Sequence, residues 1–268
     1  MAYLTPADPA RLRRSRIRVG SVELDALSEL GVVKAVREAW AAGQGGHIVT
    51  VNVDIARAAA RCPSLTALVA RAPLVVADGM PLVWAAAVAG TRLPGRVAGS
   101  SLVFSLSEAA ALDGQSVFFL GGPDGVPARA AEAMRTRFAN LRVAGSYSPP
   151  FGFDQTEGGT RTAVAAVMAA DPRLVFVGLG FPKQERLIEN LRQALPGSWF
   201  LGCGAGIPMA AGVVPRASAF TQKLGLEWLH RLALEPRRLA GRYLRDDMPF
   251  ALELLARSAL RRVIRRWP

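Results

Sequence analysis

The sequence predicts an α/β fold in which a mostly parallel sheet carries helices on both faces and an arginine-rich helical appendage follows at the C-terminus. Three features point there: short apolar runs, a Gly-rich or polar turn after each, and an Ala- or Leu-rich stretch of helical length after each turn. Residues 47–53 precede a helical stretch at 54–61, residues 74–77 precede 81–89, and residues 116–120 precede 125–138. Residues 174–177 then precede 183–194, and the run 199–201 ends in Gly202-Cys203-Gly204-Ala205-Gly206. A strand that is apolar at every position must be covered on both faces, which requires helices above and below and parallel crossovers between strands. Ligands of such sheets bind at the carboxyl ends of the strands. Residues 50–54, Asp78-Gly79, Gly121-Gly122, 178–185 and 202–206 are therefore expected along one edge.

At 268 residues the chain can bury a sizeable core, and the length suits one large α/β domain with an appendage, divided as 1–224 and 225–268. With 51% hydrophobic and 20% charged residues it is too apolar to be disordered. No apolar run reaches the roughly 18 residues that a membrane-spanning helix needs, and Arg11, Arg13, Arg14, Arg16 and Arg18 lead into no apolar stretch of the kind a secretory signal carries. A cytoplasmic location is expected. Cys62 and Cys203 stand too far apart to suggest a disulfide framework, and with His47 and His230 as the only histidines no metal-ligand spacing is visible.

The net charge of +12 calls for an anionic partner: nucleic acid, anionic lipid or phosphorylated substrate. Its distribution chooses among them. Residues 225–268 hold ten arginines against five acids, and Arg257, Arg261, Arg262, Arg265 and Arg266 follow the last acid, Glu253. In 250–267, Leu252, Leu255, Ala256, Ala259, Leu260, Val263, Ile264 and Trp267 recur at three- and four-residue spacing, with Arg257, Arg261, Arg265 and Ser258, Arg262, Arg266 on the other face. This basic amphipathic helix is either an ordinary packed helix with a solvated face or an interfacial helix on an anionic membrane surface.

Several residues can carry chemistry. Glycines at strand ends let backbone amides approach an anion, and a following helix adds its dipole, although structural turns use the same glycines. Residues 202–206 lack the G-x-G-x-x-G spacing of a dinucleotide site. Asp78 follows residues 74–77 directly and precedes Gly79, so it is either a carboxylate at the binding edge or an N-cap before Pro81. Thr50 and Asn52 are small polar residues at the neighbouring strand, satisfied core groups or ligand contacts. Pro182, Lys183, Gln184 and Glu185 open a helix right after Gly178-Leu179-Gly180, where the amides, Lys183 and Gln184 can meet a diphosphate or a sugar. Glu185 fits equally well as a first-turn acid.

The stretches Thr50-Val51-Asn52, Ala77-Asp78-Gly79-Met80, Arg96-Val97-Ala98-Gly99, Phe119-Leu120-Gly121-Gly122 and residues 177–185, with residues 225–232, 235–239 and 242–244, resemble the WecG/TagA/CpsF family of glycosyltransferases. The likeness runs from about Val19 to Leu255. It implies a Rossmann-like core and an inverting, metal-independent transfer without a cofactor. The sugar, often N-acetylmannosamine, would pass from a UDP-linked donor to a polyprenyl-diphosphate-linked acceptor in cell-surface polymer synthesis, at the inner face of the plasma membrane. Such a transfer needs one base for the acceptor hydroxyl and positive charge for the departing diphosphate. By resemblance Asp78 is the base and Thr50 lies close to the reacting sugar. Asn52, Arg96, Gly178, Gly180, Lys183 and Gln184 bind the donor. No Asp-x-Asp motif is present, so Arg96, Arg231, Arg237, Arg238 and Arg242 replace a metal at the diphosphate, where a forked guanidinium suits phosphate oxygens.

The chain departs from the family at Gly206-Ile207-Pro208, in a stretch usually acidic, and at Ser100-Ser101, where an aspartate usually follows the glycine. These leave the donor sugar open between N-acetylmannosamine and another UDP-hexose, such as glucose for an exopolysaccharide. An NAD-dependent oxidoreductase is the rival that the glycine turns alone would favour. A nucleic-acid-binding protein is the rival suggested by charge, but arginines on an amphipathic helix with few interleaved aromatics suit a lipid surface better. A second copy of the chain remains an open partner.

Overall fold

The computed structural model describes residues 15–217, 221 and 227–266, and for 231, 238, 265 and 266 the backbone alone. Six strands form one sheet: β3 (Gly46–Val51), β4 (Leu74–Ala77), β5 (Ser116–Leu120), β6 (Arg142–Tyr147), β7 (Leu174–Val177) and β8 (Trp199–Gly202). Their order is β4-β3-β8-β7-β5-β6, and every neighbouring pair is parallel. Strands β3, β4, β7 and β8 are buried at every position, which is why β4, β7 and β8 appear in the sequence as apolar runs; β3 buries His47 and Thr50 as well. The edge strand β6 is half exposed, and its Arg-Val-Ala-Gly-Ser-Tyr sequence gives no such run.

The other edge is closed by side chains. A hairpin of β1 (Arg16–Val19) and β2 (Val22–Asp25) lies against β4, and Asp25 Oδ2 accepts the Val75 N–H at 2.7 Å. Arg16 clamps Asp25 at 3.1 Å and donates to the carbonyls of Ala72 and Pro73. The buried carboxylate and the edge amide thus satisfy each other, which buried polar groups require. Neither hairpin strand is apolar at successive positions, since Arg16, Arg18 and Glu23 alternate with core residues, and the sequence reading did not find them.

Helices cover both faces, as expected. One face carries α1 (Glu29–Ala41), α5 (Gly99–Leu112), α6 (Val126–Arg137) and α9 (Gly206–Ala210) over a core that includes Ile48, Phe119, Phe176 and Leu201. The opposite face carries α2 (Val53–Arg61), α3 (Pro63–Ala70) and α4 (Met80–Val88) at one end and α7 (Glu157–Ala170) and α8 (Lys183–Ala194) at the other. Between α4 and α5 the chain changes face, and residues 89–98 cross the carboxyl end of β4, where the Val97 N–H donates to Ala77 O at 2.7 Å. This crossing brings Arg96 and Gly99 to Asp78.

The C-terminal part from Glu227 is helical apart from a bend at Glu235: α10 (Glu227–Leu234), α11 (Pro236–Ala240), a π-helical segment (Gly241–Asp247) and α12 (Met248–Arg266). The expected division at 224/225 falls outside the described residues, as does Trp267. The first half of α12 joins the core. Leu254 is 4% exposed and packs with Phe250 and Leu255 on the cluster of β1, β2, α2 and α4. Gly20, in the hairpin turn at φ 61°, leaves room for it, because a Cβ there would lie 2.9 Å from Leu254 Cδ1. The packed face is therefore not the one the periodicity suggested. Ser258, expected on the polar face, is buried, whereas Leu252, Leu260, Val263 and Ile264 are 56–63% exposed. Among the described residues no helix is long and apolar enough to cross a membrane. Leu254→Ala is expected to destabilise the protein by about 3 kcal/mol through the cavity it leaves, and Leu260→Ser by no more than about 0.5 kcal/mol; denaturant unfolding of both variants distinguishes the two faces.

Candidate active site

The carboxyl ends of β3 and β4 place Thr50, Asn52 and Asp78 side by side, with the Asp78 N–H donating to Val51 O at 2.7 Å. Gly79, not Asp78, takes the N-cap position of α4. The Asp78 carboxylate turns instead to the start of α5, where Oδ2 accepts the Gly99 N–H at 3.3 Å and Oδ1 lies 3.6 Å from Arg96 Nη1. A 14-residue helix with no side-chain cap of its own directs its positive end at this carboxylate. Gly99 makes the approach possible: a Cβ there would stand 2.9 Å from Thr50 Oγ1 and 3.3 Å from Cys203 Cα. Thr50 is buried and donates to Gly202 O at 3.4 Å. Asp78, Thr50 and Arg96 thus converge around one helix start.

Arg96 also reaches out of the core, with Nη2 2.8 Å from Glu227 Oε2. Glu227 is buried and is the first residue of α10, so the guanidinium ties the C-terminal helices to Asp78. Sequence reading gave Glu227 no role. Its partner lies far along the chain, and no spacing rule connects them.

The glycine turns after β5, β7 and β8 form a continuous strip. A Cβ on Gly121 would lie 2.8 Å from Gly178 O, and one on Gly178 would lie 2.8 Å from Gly204 O. The three strand ends are therefore in backbone contact. Gln184 is buried beneath them, its Oε1 accepting from Gly180 N at 3.1 Å and Gly204 N at 3.3 Å and its Nε2 donating to Glu185 Oε1 at 2.8 Å. Its oxygen is committed to the turns. Asn52 is committed in a similar way, since Oδ1 caps α2 through the Ile55 N–H at 2.9 Å. Lys183 leans toward β6, with Nζ 2.8 Å from Asp154 Oδ1 and 5.8 Å from the Phe153 ring centre, on the short 3-10 turn Phe153–Gln155.

Burial here disfavours the charged form of titratable groups. Burial pushes the Glu185 carboxyl up to about 7 and the Cys203 thiol up to about 12, so Cys203 is no thiolate nucleophile. His47, at the opposite end of β3, is pushed down to about 3 by burial and by Arg192. It has neither the position nor the basicity of a catalytic base.

Of the C-terminal arginines, Arg242 stands over the Tyr243 ring at 4.9 Å and 3.9 Å from both Asp54 and Asp247. Arg57 completes this cluster, 2.6 Å from Asp54 and 3.1 Å from Asp247. Burial, and then Asp54, pushes the Asp247 carboxyl above its ordinary value. The cluster fastens the π-helical segment to α2, beside the carboxyl end of β3. Sequence reading assigned Arg242 to the diphosphate and did not find the two aspartates and Arg57 that surround it. Arg237 is exposed on α11, and the side chains of Arg231 and Arg238 lie outside the described residues.

The arrangement offers one carboxylate at a helix start, a guanidinium beside it, and an adjoining strip of glycine turns. These are the parts a group transfer from a diphosphate requires. Among the described residues no three His, Cys, Asp or Glu side chains gather as metal ligands.

Comparison with known proteins shows the family. The chain is 33% identical over 195 residues to the N-acetylglucosaminyldiphosphoundecaprenol N-acetyl-beta-D-mannosaminyltransferase of Bacillus spizizenii, covering 73% of this chain and 74% of that one. Residues 17–264 match the family described as Glycosyl transferase WecG/TagA/CpsF. With a match over almost the whole described chain, and the motif residues gathered at one sheet edge, the protein is a glycosyltransferase and belongs to the WecG/TagA/CpsF family.

Proposed function

We propose that this enzyme transfers N-acetylmannosamine from UDP to the N-acetylglucosamine of a polyprenyl-diphosphate-linked acceptor, with inversion and without a metal, in the synthesis of a cell-surface polymer. The observation that carries the reading is the convergence of Asp78, Thr50 and Arg96 at the start of α5, bridged by Arg96 to Glu227. The name of the Bacillus relative supports the acceptor and the sugar.

In this reading the acceptor hydroxyl attacks the anomeric carbon, its proton passes to Asp78, the bond from that carbon to the diphosphate oxygen breaks, and UDP leaves. Asp78 does the work of a positioned base. Arg96, Arg237, Arg238 and Arg242, with Arg231, carry the charge that grows on the diphosphate, as a metal would elsewhere. A guanidinium has five donors, so Arg96 can keep Glu227 and still meet a phosphate oxygen. Thr50 lies beside the reacting sugar, and Gly178, Gly180 and Asn52 face the donor with Lys183 and Gln184 behind them. A UDP-glucose-type donor for an exopolysaccharide is the second reading. It rests on Ser101, whose Oγ accepts from Arg216 Nη2 at 2.5 Å, and on Pro208 in α9, positions where the family resemblance implies acidic residues.

The exposed apolar residues of α12, flanked by Arg257, Arg261 and Arg262, support a peripheral position on the anionic inner leaflet, where the lipid acceptor lies. The packing of Phe250 and Leu254 separates this surface from the fold, since only the second half of the helix is free to meet lipid.

UDP release from a panel of UDP-sugars, with a short-chain polyprenyl-diphosphate N-acetylglucosamine as acceptor, tests the proposal: release with UDP-N-acetylmannosamine supports it, and release with UDP-glucose alone would transfer the case to the second reading. In the same assay Asp78→Asn should lower turnover by about 100-fold or more while keeping the fold, because a positioned base contributes roughly 10²–10⁴. Near wild-type turnover would remove Asp78 from the chemistry. Activity should also survive excess EDTA; loss in EDTA with recovery on manganese would contradict the arginine assignment. Changing Leu260, Val263 and Ile264 together to serine should weaken flotation with anionic vesicles and leave turnover on the soluble acceptor within about twofold, given the small cost of surface substitutions.

A further inference from the structure

Glu185 is 0% exposed although it lies in the first turn of α8, where an acid that merely answers the helix dipole would reach solvent. It sits directly under the last residue of β8: a Cβ on Gly202 would lie 2.7 Å from Glu185 Oε1 and 2.6 Å from Gln184 Nε2. Its Oε1 accepts from Gln184 Nε2 at 2.8 Å, and that bond decides which way the carboxamide points. With Nε2 turned to the carboxyl, Gln184 Oε1 faces the amides of Gly180 and Gly204. The flipped amide would set NH₂ against two N–H donors and leave both without an acceptor.

We propose that Glu185 is a positioning residue for the transfer reaction: through the Gln184 carboxamide it locks together the glycine turns after β7 and β8, on which the donor diphosphate rests. This extends the donor reading given above and depends on it for the diphosphate. The turns themselves need the lock. Gly180 and Gly204 lie at φ 79° and 49°, in loops that touch through Gly178 and Gly204 O, and no other side-chain oxygen among the described residues is shown accepting from both amides.

The charge state of Glu185 bears on the same platform. Among the described residues Oε2 has no hydrogen-bond partner, and burial pushes the carboxyl up to about 7. The charged groups around α8 face elsewhere: Lys183 pairs with Asp154, Arg71 with Glu189, Arg192 stands beside His47, and the exposed Arg186 acts on Asp154 and Cys62. Cys203, across from Glu185 at the end of β8, is a neutral thiol. Among the described residues no cation is shown offsetting a charge that appears on Glu185 as the pH rises through 7, so the anionic donor meets a negative platform. Stability follows the same titration. Below the ordinary carboxylate value of 4.5 both folded and unfolded chains are protonated; above it the unfolded chain ionises first, and the folded state loses relative stability until about pH 7, beyond which the difference is constant.

The test uses the full chain as wild type, Glu185→Gln and Glu185→Leu, with donor KM and kcat from UDP release between pH 6 and 8.5. Amide hydrogen exchange of Gly180 and Gly204 is followed by NMR without donor. Wild type should show a donor KM that rises severalfold across pH 7 with little change in kcat. Glu185→Gln, a neutral isostere that still accepts from Gln184, should show a flat and low KM, protected amides, and a Tm advantage over wild type that grows from pH 4.5 to 7 and then levels. Glu185→Leu should raise donor KM by about tenfold and speed exchange at Gly180 and Gly204 by a similar factor, the loss of one well-placed hydrogen bond. Wild-type KM and protected glycine amides in Glu185→Leu would overturn the proposal. So would a Glu185→Gln enzyme with wild-type pH dependence or with unprotected amides, an outcome readable even if Glu185→Leu does not fold. If wild type releases no UDP from any donor, the donor reading fails, and the exchange data alone decide whether Glu185 holds the turns.

Discussion

The candidate site depends on one contact, the approach of the α5 start to the carboxyl end of β4, where the Gly99 amide meets the Asp78 carboxylate. A parallel sheet forces the chain to cross its carboxyl edge whenever successive helices lie on opposite faces. Here that crossing is residues 89–98, pinned by the Val97 amide on Ala77. It sets a positive helix end and Arg96 against the one aspartate that closes β4. A side chain at Gly99 would push the helix off Thr50 and the β8 turn together, so a single absent Cβ governs three strand ends.

Several buried or half-buried polar side chains are satisfied by other protein groups rather than by solvent. Gln184 serves two glycine amides and Glu185, Asp25 serves an edge amide and Arg16, and Asn52 serves α2. Each of these would cost about 1–3 kcal/mol if left unmet. The strand ends are consequently fixed in backbone contact before any ligand arrives, the kind of preorganisation that electrostatic catalysis needs. The same economy limits what those side chains offer a donor, because the oxygens of Asn52 and Gln184 are already occupied.

The C-terminal helices have two attachments of different character. Ion pairs hold the part nearest the site, with Glu227 on Arg96 and the Arg57, Asp54, Asp247 and Arg242 cluster on α2. Hydrophobic burial of Phe250 and Leu254 holds α12 against α4 and the hairpin. The end of α12 keeps its apolar residues in solvent, so an exposed apolar surface is continuous with a helix that also completes the core.

By itself the sequence determined the parallel sheet and the sheet edge at which the candidate site residues gather. Residues 74–77, 117–120 and 174–177 are apolar at every position because both faces are covered, and that pattern is local, as is the placement of Asp78, Gly178 and Gly202 at the ends of such runs. It did not disclose β6 or the β1–β2 hairpin, whose exposed faces break the apolar run, nor Glu227, Asp54 and Asp247, whose partners come from other elements. The periodicity of α12 was legible, but not the face that packs, since 252, 256, 260 and 263 make as regular a stripe as 250, 254 and 258. Only the tertiary structure decided between them, because a stripe records the period of a helix, whereas the face that is buried depends on where Gly20 leaves a space in another part of the chain.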